Sequence, residues 1–248
     1  MSSFQALTTA IAAQVGTGNI AGCAVALVSG GAGAIFWMWV SAFFGMATIY
    51  GEAVLAQTFR TTVDGQVTGG PIYYIRAVFK GKFGKFLAGF FSIAIVFALG
   101  FTGNMVQANS ISDAFHNAFG LPKLAVGLVT AAVAAFIFLG GVRRIASFTE
   151  KVVPIMALFY IIGCTALLVI NHEAVPEALR MIFTSAFSTQ AVVGGAAGIS
   201  VQQAMRIGVA RGLFSNEAGM GSTPHAHALA KVKHPQGTGR DRHGQRLY

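Results

Sequence analysis

The sequence predicts an all-α integral membrane protein with about six transmembrane helices of roughly 20 residues each. Three observations carry that expectation. The 248 residues are 54% hydrophobic and only 10% charged, where soluble domains carry about 25% charged residues. The mean hydropathy is +0.65. Fifteen of the 17 Lys and Arg residues fall into segments that a helical in-and-out path places on one side of the membrane. Positive residues accumulate on the cytoplasmic side, so the path starts there. The N-terminus and the C-terminal tail are then cytoplasmic, and the chain is expected to cross the plasma (inner) membrane several times.

The first apolar segment covers residues 4–28 and is interrupted by Gln14-Val15-Gly16-Thr17-Gly18-Asn19. Glycines 30, 31 and 33 turn the chain into the second, residues 34–58, whose Trp37 and Trp39 suit an interfacial aromatic belt. Residues 59–85 form a cytoplasmic connection with turn signals at Asp64-Gly65 and Gly69-Gly70-Pro71 and a short interfacial helix at 71–78. The third segment, 86–119, has a polar second half. The fourth is 123–139 and the fifth 152–170, with 142–151 as a cytoplasmic loop between them. Residues 171–188 form an outside linker with an amphipathic helix at 178–187. The sixth segment, 190–205, is interrupted by Gly194-Gly195-Ala196-Ala197-Gly198, and everything beyond it is expected in the cytoplasm.

Several function classes are excluded by the same composition. The net charge of +9 is spread between apolar runs and forms no patch, so no nucleic-acid partner is expected. Cys23 and Cys164 both lie within apolar stretches, which argues against a disulfide framework. No nucleophile–base pair is legible, so the chain is not expected to be an enzyme, and no cofactor is expected. His225 and His227 stand two residues apart and point to different faces of a helix, a poor start for a metal site.

The two interrupted segments carry the functional expectation. A spanning helix satisfies its own backbone, because hydrocarbon offers no partner. Polar, glycine-broken positions at membrane depth therefore either line a solute site or let helices pack closely. At a break, one half-helix offers free N–H groups and a partial positive charge, suited to a carboxylate. The other offers free carbonyls, suited to a cation such as Na⁺. In the third segment, Asn104, Gln107 and Ser112 lie close to one face, facing either the pathway or a neighbouring helix. Glu52 lies about two turns from the cytoplasmic end of its helix, where a loop arginine is the expected partner. Asp113, near the outer end, is expected in water. The glycine-rich residues 211–222 lack a phosphate-loop lysine and suggest a gate or hinge.

Five motifs, in order along the chain, carry a resemblance. Val15-Gly16-Thr17-Gly18-Asn19-Ile20-Ala21-Gly22, Gly33-Ala34-Ile35-Phe36-Trp37-Met38-Trp39, Gly69-Gly70-Pro71-Ile72-Tyr73-Tyr74-Ile75, Gly103-Asn104-Met105-Val106-Gln107-Ala108-Asn109 and Gly212-Leu213-Phe214-Ser215-Asn216-Glu217-Ala218-Gly219-Met220-Gly221-Ser222 resemble the alanine/glycine:cation symporter family. The resemblance implies a leucine-transporter-like fold of two inverted five-helix repeats, of which this chain would hold the first repeat and the sixth helix. It implies sodium-coupled symport of small neutral amino acids, alanine and glycine, by alternating access. It also implies roles. Asn19 is an expected Na⁺ side-chain ligand and Gln14 and Val15 supply carbonyls. Gly16, Thr17, Gly18, Asn104, Gln107, Gly194 and Gly195 are the expected substrate contacts.

The family runs on through further helices on both sides of the matching region, residues 1–235. The expectation is therefore a member truncated at both ends, with 236–248 an atypical polar tail from a shifted reading frame. An incomplete transporter is one expectation; a transport-inactive membrane fragment or packing subunit is the alternative. Coupling to protons instead of Na⁺ would call for a buried carboxylate at the break, and the sequence places none beside it.

Overall fold

The structure, a computed structural model, describes residues 2–63, 65–187 and 201–232. Helix α1 (Ser3–Gln14) begins with a reciprocal cap: the Ser2 hydroxyl accepts from the Gln5 amide at 3.1 Å, and Gln5 Oε1 accepts from the Ser2 amide at 3.0 Å. Helix α2 (Thr17–Gly30) follows after a two-residue break, bent by 41° from α1. Gly31 takes a left-handed turn (φ 68°) into α3 (Gly33–Thr58). A small antiparallel hairpin, β1 (Thr61–Val63) and β2 (Gln66–Thr68), fills what reads in sequence as an irregular loop. Proline then opens α4 (Pro71–Val78) in the first turn, where its missing N–H has no intrahelical partner to lose.

Helix α5 (Gly81–Ile95), a π-helical stretch (Val96–Gly103) and α6 (Asn104–Phe119) run as one span of 39 residues. Helix α7 is Lys123–Phe138, and α8 is Gly141–Ile170 with Pro154 inside it. A short turn (His172–Ala174) leads to α9 (Val175–Phe187). Helices α10 (Val201–Asn216) and α11 (Pro224–Ala228) complete the described chain. The side chains along α5, α7 and the second half of α8 are largely exposed apolar groups, the surface of a protein solvated by lipid.

Four expectations change. By length and composition, three helices among the described residues can cross a membrane: α3, the α5–α6 span and α8; the α1–α2 pair makes a fourth if it is one broken span. At 16 residues α7 is shorter than these. The third segment starts at Gly81 rather than residue 86, and the fifth at Gly141. Residues 142–151, expected as a loop, are the first turns of α8, because nothing in them breaks a helix. The helix expected to end at residue 205 continues to Asn216. Arg206 and Arg211, placed by the sequence in a cytoplasmic segment beyond the sixth helix, lie on α10. The Gly194-Gly195-Gly198 interruption and the polar tail lie outside the described residues.

The core is a contact between small residues. Ala34, Met38, Ser41 and Gly45 line one face of α3, and Ala204, Gly208 and Gly212 the facing side of α10, all of them buried. A Cβ on Gly208 would sit 2.4 Å from the Ala34 carbonyl oxygen and one on Gly212 3.0 Å from Ser41 Cβ. Small residues four apart let membrane helices approach to backbone contact, where packing drives association. Helix α9 closes over the start of α3. Trp37 Nε1 donates to the Ala186 carbonyl at 3.3 Å, and Phe36, Trp37 and Phe187 meet edge to face. Trp37 thus holds a helix rather than only an interface. Helix α1 packs on α8 through Gln5 Nε2 to Glu150 Oε2 (2.8 Å) and a Thr9–Thr149 hydroxyl pair (3.1 Å).

The α3–α10 contact yields a prediction. Gly208→Ala has to push two backbones apart and should cost about 1–3 kcal/mol. Gly22→Ala meets nothing within 4 Å and should be neutral or slightly stabilising. Thermal unfolding of the purified protein in detergent compares the two; equal melting temperatures would contradict the contact.

Candidate functional site

The first break forms because Gly16 is held extended (φ −156°, ψ −179°), so α1 cannot continue into α2. Its close neighbour is Gln107 on α6: a Cβ on Gly16 would lie 2.6 Å from Gln107 Nε2, and one on Gly18 3.1 Å away. The glycines are there to admit that side chain. Gln107 Oε1 accepts from the Thr17 hydroxyl at 2.9 Å and from the Gly18 amide at 2.8 Å. An amide oxygen therefore occupies the N-terminus of α2, where free N–H groups and the helix dipole favour an anion. Gly16, Thr17, Gly18 and Gln107, expected together, are together.

The other side of the break holds carbonyls. Asn19 Nδ2 donates to the Gln14 carbonyl at 2.8 Å and to the Ser215 carbonyl at 3.4 Å. Which end of an amide is oxygen and which nitrogen follows from such contacts. Turned over, the same side chain presents Oδ1 to a cation flanked by the Gln14 and Ser215 oxygens. Ser215 is a residue that the sequence reading did not single out. Asn104 is not drawn into this cluster, being exposed at the first turn of α6, and the Val15 amide closes the end of α1 on the Ile11 carbonyl at 2.8 Å. Ser112, on the same helix, is buried. Gly194 and Gly195 lie outside the described residues, so their expected substrate contacts have no geometry here.

A second break within the described residues faces the first, at positions 217–223 between α10 and α11. Glu217 (φ 53°), Gly219 (φ 83°) and Gly221 (φ 76°) all take left-handed conformations, which a right-handed helix does not admit. The amides that would have continued α10 go to side chains. Ala218 N–H donates to Asn216 Oδ1 (3.0 Å), Gly219 N–H to Glu52 Oε2 (3.3 Å) and Gly221 N–H to Glu52 Oε1 (3.1 Å). The expected arginine partner of Glu52 is thus replaced by backbone donors, and Arg60 donates to Gln57 and to the Ala230 carbonyl. Asp113, expected in water, pairs with Lys123 at 2.5 Å on the surface. Helix α11 is seated at the end of α3. A His225 ring nitrogen lies 3.0 Å from the Gly69 carbonyl, and Gln57 and Arg60 donate to the Ala230 carbonyl at 3.2 and 3.1 Å. Tyr74 on α4 has its hydroxyl pushed up to about 12, by burial first and then by the Glu52 carboxylate.

Gln107→Leu keeps the bulk but leaves the Gly18 amide without its acceptor and the Thr17 hydroxyl with only the backbone carbonyl of residue 107 at 3.4 Å, which should cost about 1–3 kcal/mol. The loss is read as a lower midpoint of thermal unfolding in detergent; an unchanged midpoint would contradict the contact.

Comparison with known proteins gives the family. A profile described as the sodium:alanine symporter family matches residues 1–240. The "Sodium/alanine symporter AgcS" of Methanococcus maripaludis is 48% identical over 237 residues, 95% of this chain and 51% of its own length. An "Uncharacterized transporter" of Haemophilus influenzae is 46% identical over 240 residues, 96% of this chain and 49% of its own. The "Probable sodium/glutamine symporter GlnT" of Bacillus subtilis is 42% identical over 235 residues, 95% of this chain and 48% of its own. The chain spans about half the length of these curated relatives. It belongs to the sodium:alanine symporter family, a family of membrane transporters and not of enzymes.

Proposed function

We propose that the chain belongs to the core of a sodium-coupled symporter of small neutral amino acids, alanine and glycine among them, that works by alternating access in the plasma (inner) membrane. The observation that carries the reading is the pair of breaks meeting at Asn19. One side chain links the C-terminal carbonyl of α1 to a carbonyl of α10, beside the N-terminus of α2 that Gln107 caps. Oxygen ligands from two broken helices suit Na⁺, and the adjoining N–H groups suit a carboxylate.

In this reading Na⁺ lies among the Gln14 and Ser215 carbonyls and Asn19 Oδ1. The substrate carboxylate takes the place at Thr17 and Gly18 that Gln107 Oε1 fills in the structure. Gln107 then turns aside, toward the substrate amine. Ion and carboxylate attract each other across the break, so each raises the affinity for the other. Na⁺ entering down the membrane potential supplies about 2.3 kcal/mol per charge per 100 mV. The arrangement fits a leucine-transporter-like fold in which α1 and α2 form the first helix. Its sixth helix is α10 with the break after it, in place of residues 190–205. The N-terminus is cytoplasmic in this reading, which puts Gly33 near the outer surface.

A second reading, a transport-inactive membrane fragment or packing subunit, draws on the length comparison: the matched relatives are about twice as long as this chain. One assay separates the two. Proteoliposomes containing the purified protein should take up radiolabelled alanine faster with external Na⁺ than with choline, and Asn19→Ala should raise the Na⁺ requirement by about tenfold or more, the worth of a charge-assisted contact. Uptake that Na⁺ does not stimulate supports the inactive reading. Na⁺-stimulated uptake with the Na⁺ requirement unchanged in Asn19→Ala removes Asn19 from the ion site.

A further inference from the structure

The geometry points to a distant residue that sets one of these ion ligands. We propose that Glu52 is a positioning residue for sodium: its carboxylate holds the second break open, so that the Ser215 carbonyl stays turned toward Asn19. The proposal rests on the functional reading above and adds a group that touches neither ion nor substrate.

In an unbroken α-helix, Gly219 N–H would bond to the Ser215 carbonyl four residues back. Here Gly219 N–H donates to Glu52 Oε2 at 3.3 Å, and Ser215 oxygen instead accepts from Asn19 at 3.4 Å. The second carboxylate oxygen takes Gly221 N–H at 3.1 Å, so one side chain diverts two amides from helical bonding. A carboxylate can do this because charge-assisted hydrogen bonds are roughly twice as strong as neutral ones. Glu52 is 9% exposed, and among the described residues it forms no ion pair that would draw it elsewhere.

Helix α3 also sets the distance over which the break is stretched. Asn216 packs at Gly45, where an added Cβ would lie 3.0 Å from its Nδ2. Glu52 grips the loop seven residues further along the same helix, about 10 Å away at the helical rise. The loop is pinned at both ends on one rigid element. With Glu52 neutral, the competing helical bond from Gly219 to Ser215 regains its donor, and the carbonyl turns away from Asn19.

A merely structural role for Glu52 would alter stability without altering the sodium concentration that the protein responds to. The test is therefore thermal unfolding of the purified protein in detergent, titrated with NaCl against choline chloride at fixed ionic strength. A bound ion raises the melting temperature as its site fills. Glu52→Gln keeps the shape and one acceptor oxygen but presents an amide nitrogen to the second backbone N–H. The sodium concentration for half the stabilisation should rise by about tenfold or more. Glu52→Asp keeps the charge on a shorter stem and should fall between the wild type and Glu52→Gln. A midpoint for Glu52→Gln within about twofold of wild type overturns the proposal. If Glu52→Gln fails to fold, Glu52→Asp decides: a raised sodium midpoint supports the proposal and an unchanged one overturns it. A wild-type protein that sodium does not stabilise more than choline overturns the functional reading instead, and this inference with it.

Discussion

Inside a membrane an unpaired carbonyl or amide has no water to turn to, so a helix interrupted within its span must draw partners from the rest of the protein. That constraint applies to α1 and α2, which together pass as one bent membrane span. The α1–α2 break frees the Gln14 carbonyl and the amides of Thr17 and Gly18, and the break after α10 frees the Ser215 carbonyl and the amides of Ala218, Gly219 and Gly221. Asn19 joins the two sets of carbonyls. Gln107 from α6 answers the Gly18 amide and the Thr17 hydroxyl, Glu52 from α3 the Gly219 and Gly221 amides, and Asn216 of α10 the Ala218 amide. Each of these polar side chains comes from a different helix, so the breaks specify where those helices stand.

Helix α3 is the frame that makes the meeting possible. Its row of small residues brings α10 to backbone contact, and no Cβ fits between Gly208 and Ala34. At that separation the end of α10 reaches the first break. The same helix then carries Glu52 to the loop beyond. On the opposite side, the π-helical stretch Val96–Gly103 ends one residue before α6. A π-turn changes the direction in which every later side chain points, and Gln107 lies one turn further on.

Much of this was legible in the residues. The first break and its opposed carbonyls and amides follow from two glycines among polar neighbours in an apolar run, whereas the contact of Gln107 with Gly16 and Gly18 and the bond from Asn19 to the Gln14 carbonyl come from the structure. Helix 71–78 follows from Gly70-Pro71. The second break was harder to read, although Gly219-Met220-Gly221 repeats the spacing of Gly16-Thr17-Gly18. Arg206 and Arg211 mark residues 206–216 as a cytoplasmic stretch in the sequence, which hides the continuation of α10 to Asn216. Once α10 is set against α3, the glycines at 219 and 221 become a break facing a break. The partner of Glu52 was not readable at all, because a backbone amide leaves no mark in a sequence. The same holds for the Ser215 carbonyl.

The central claim is that one ion and one carboxylate share the first break. Binding of radiolabelled sodium and radiolabelled alanine to the purified protein, each measured with and without the other, tests it most directly. Because linkage is reciprocal, sodium must raise the affinity for alanine by the same factor as alanine raises that for sodium. The account predicts a factor well above one in both directions, with potassium unable to replace sodium. A factor of one, with each ligand binding as if the other were absent, would contradict it.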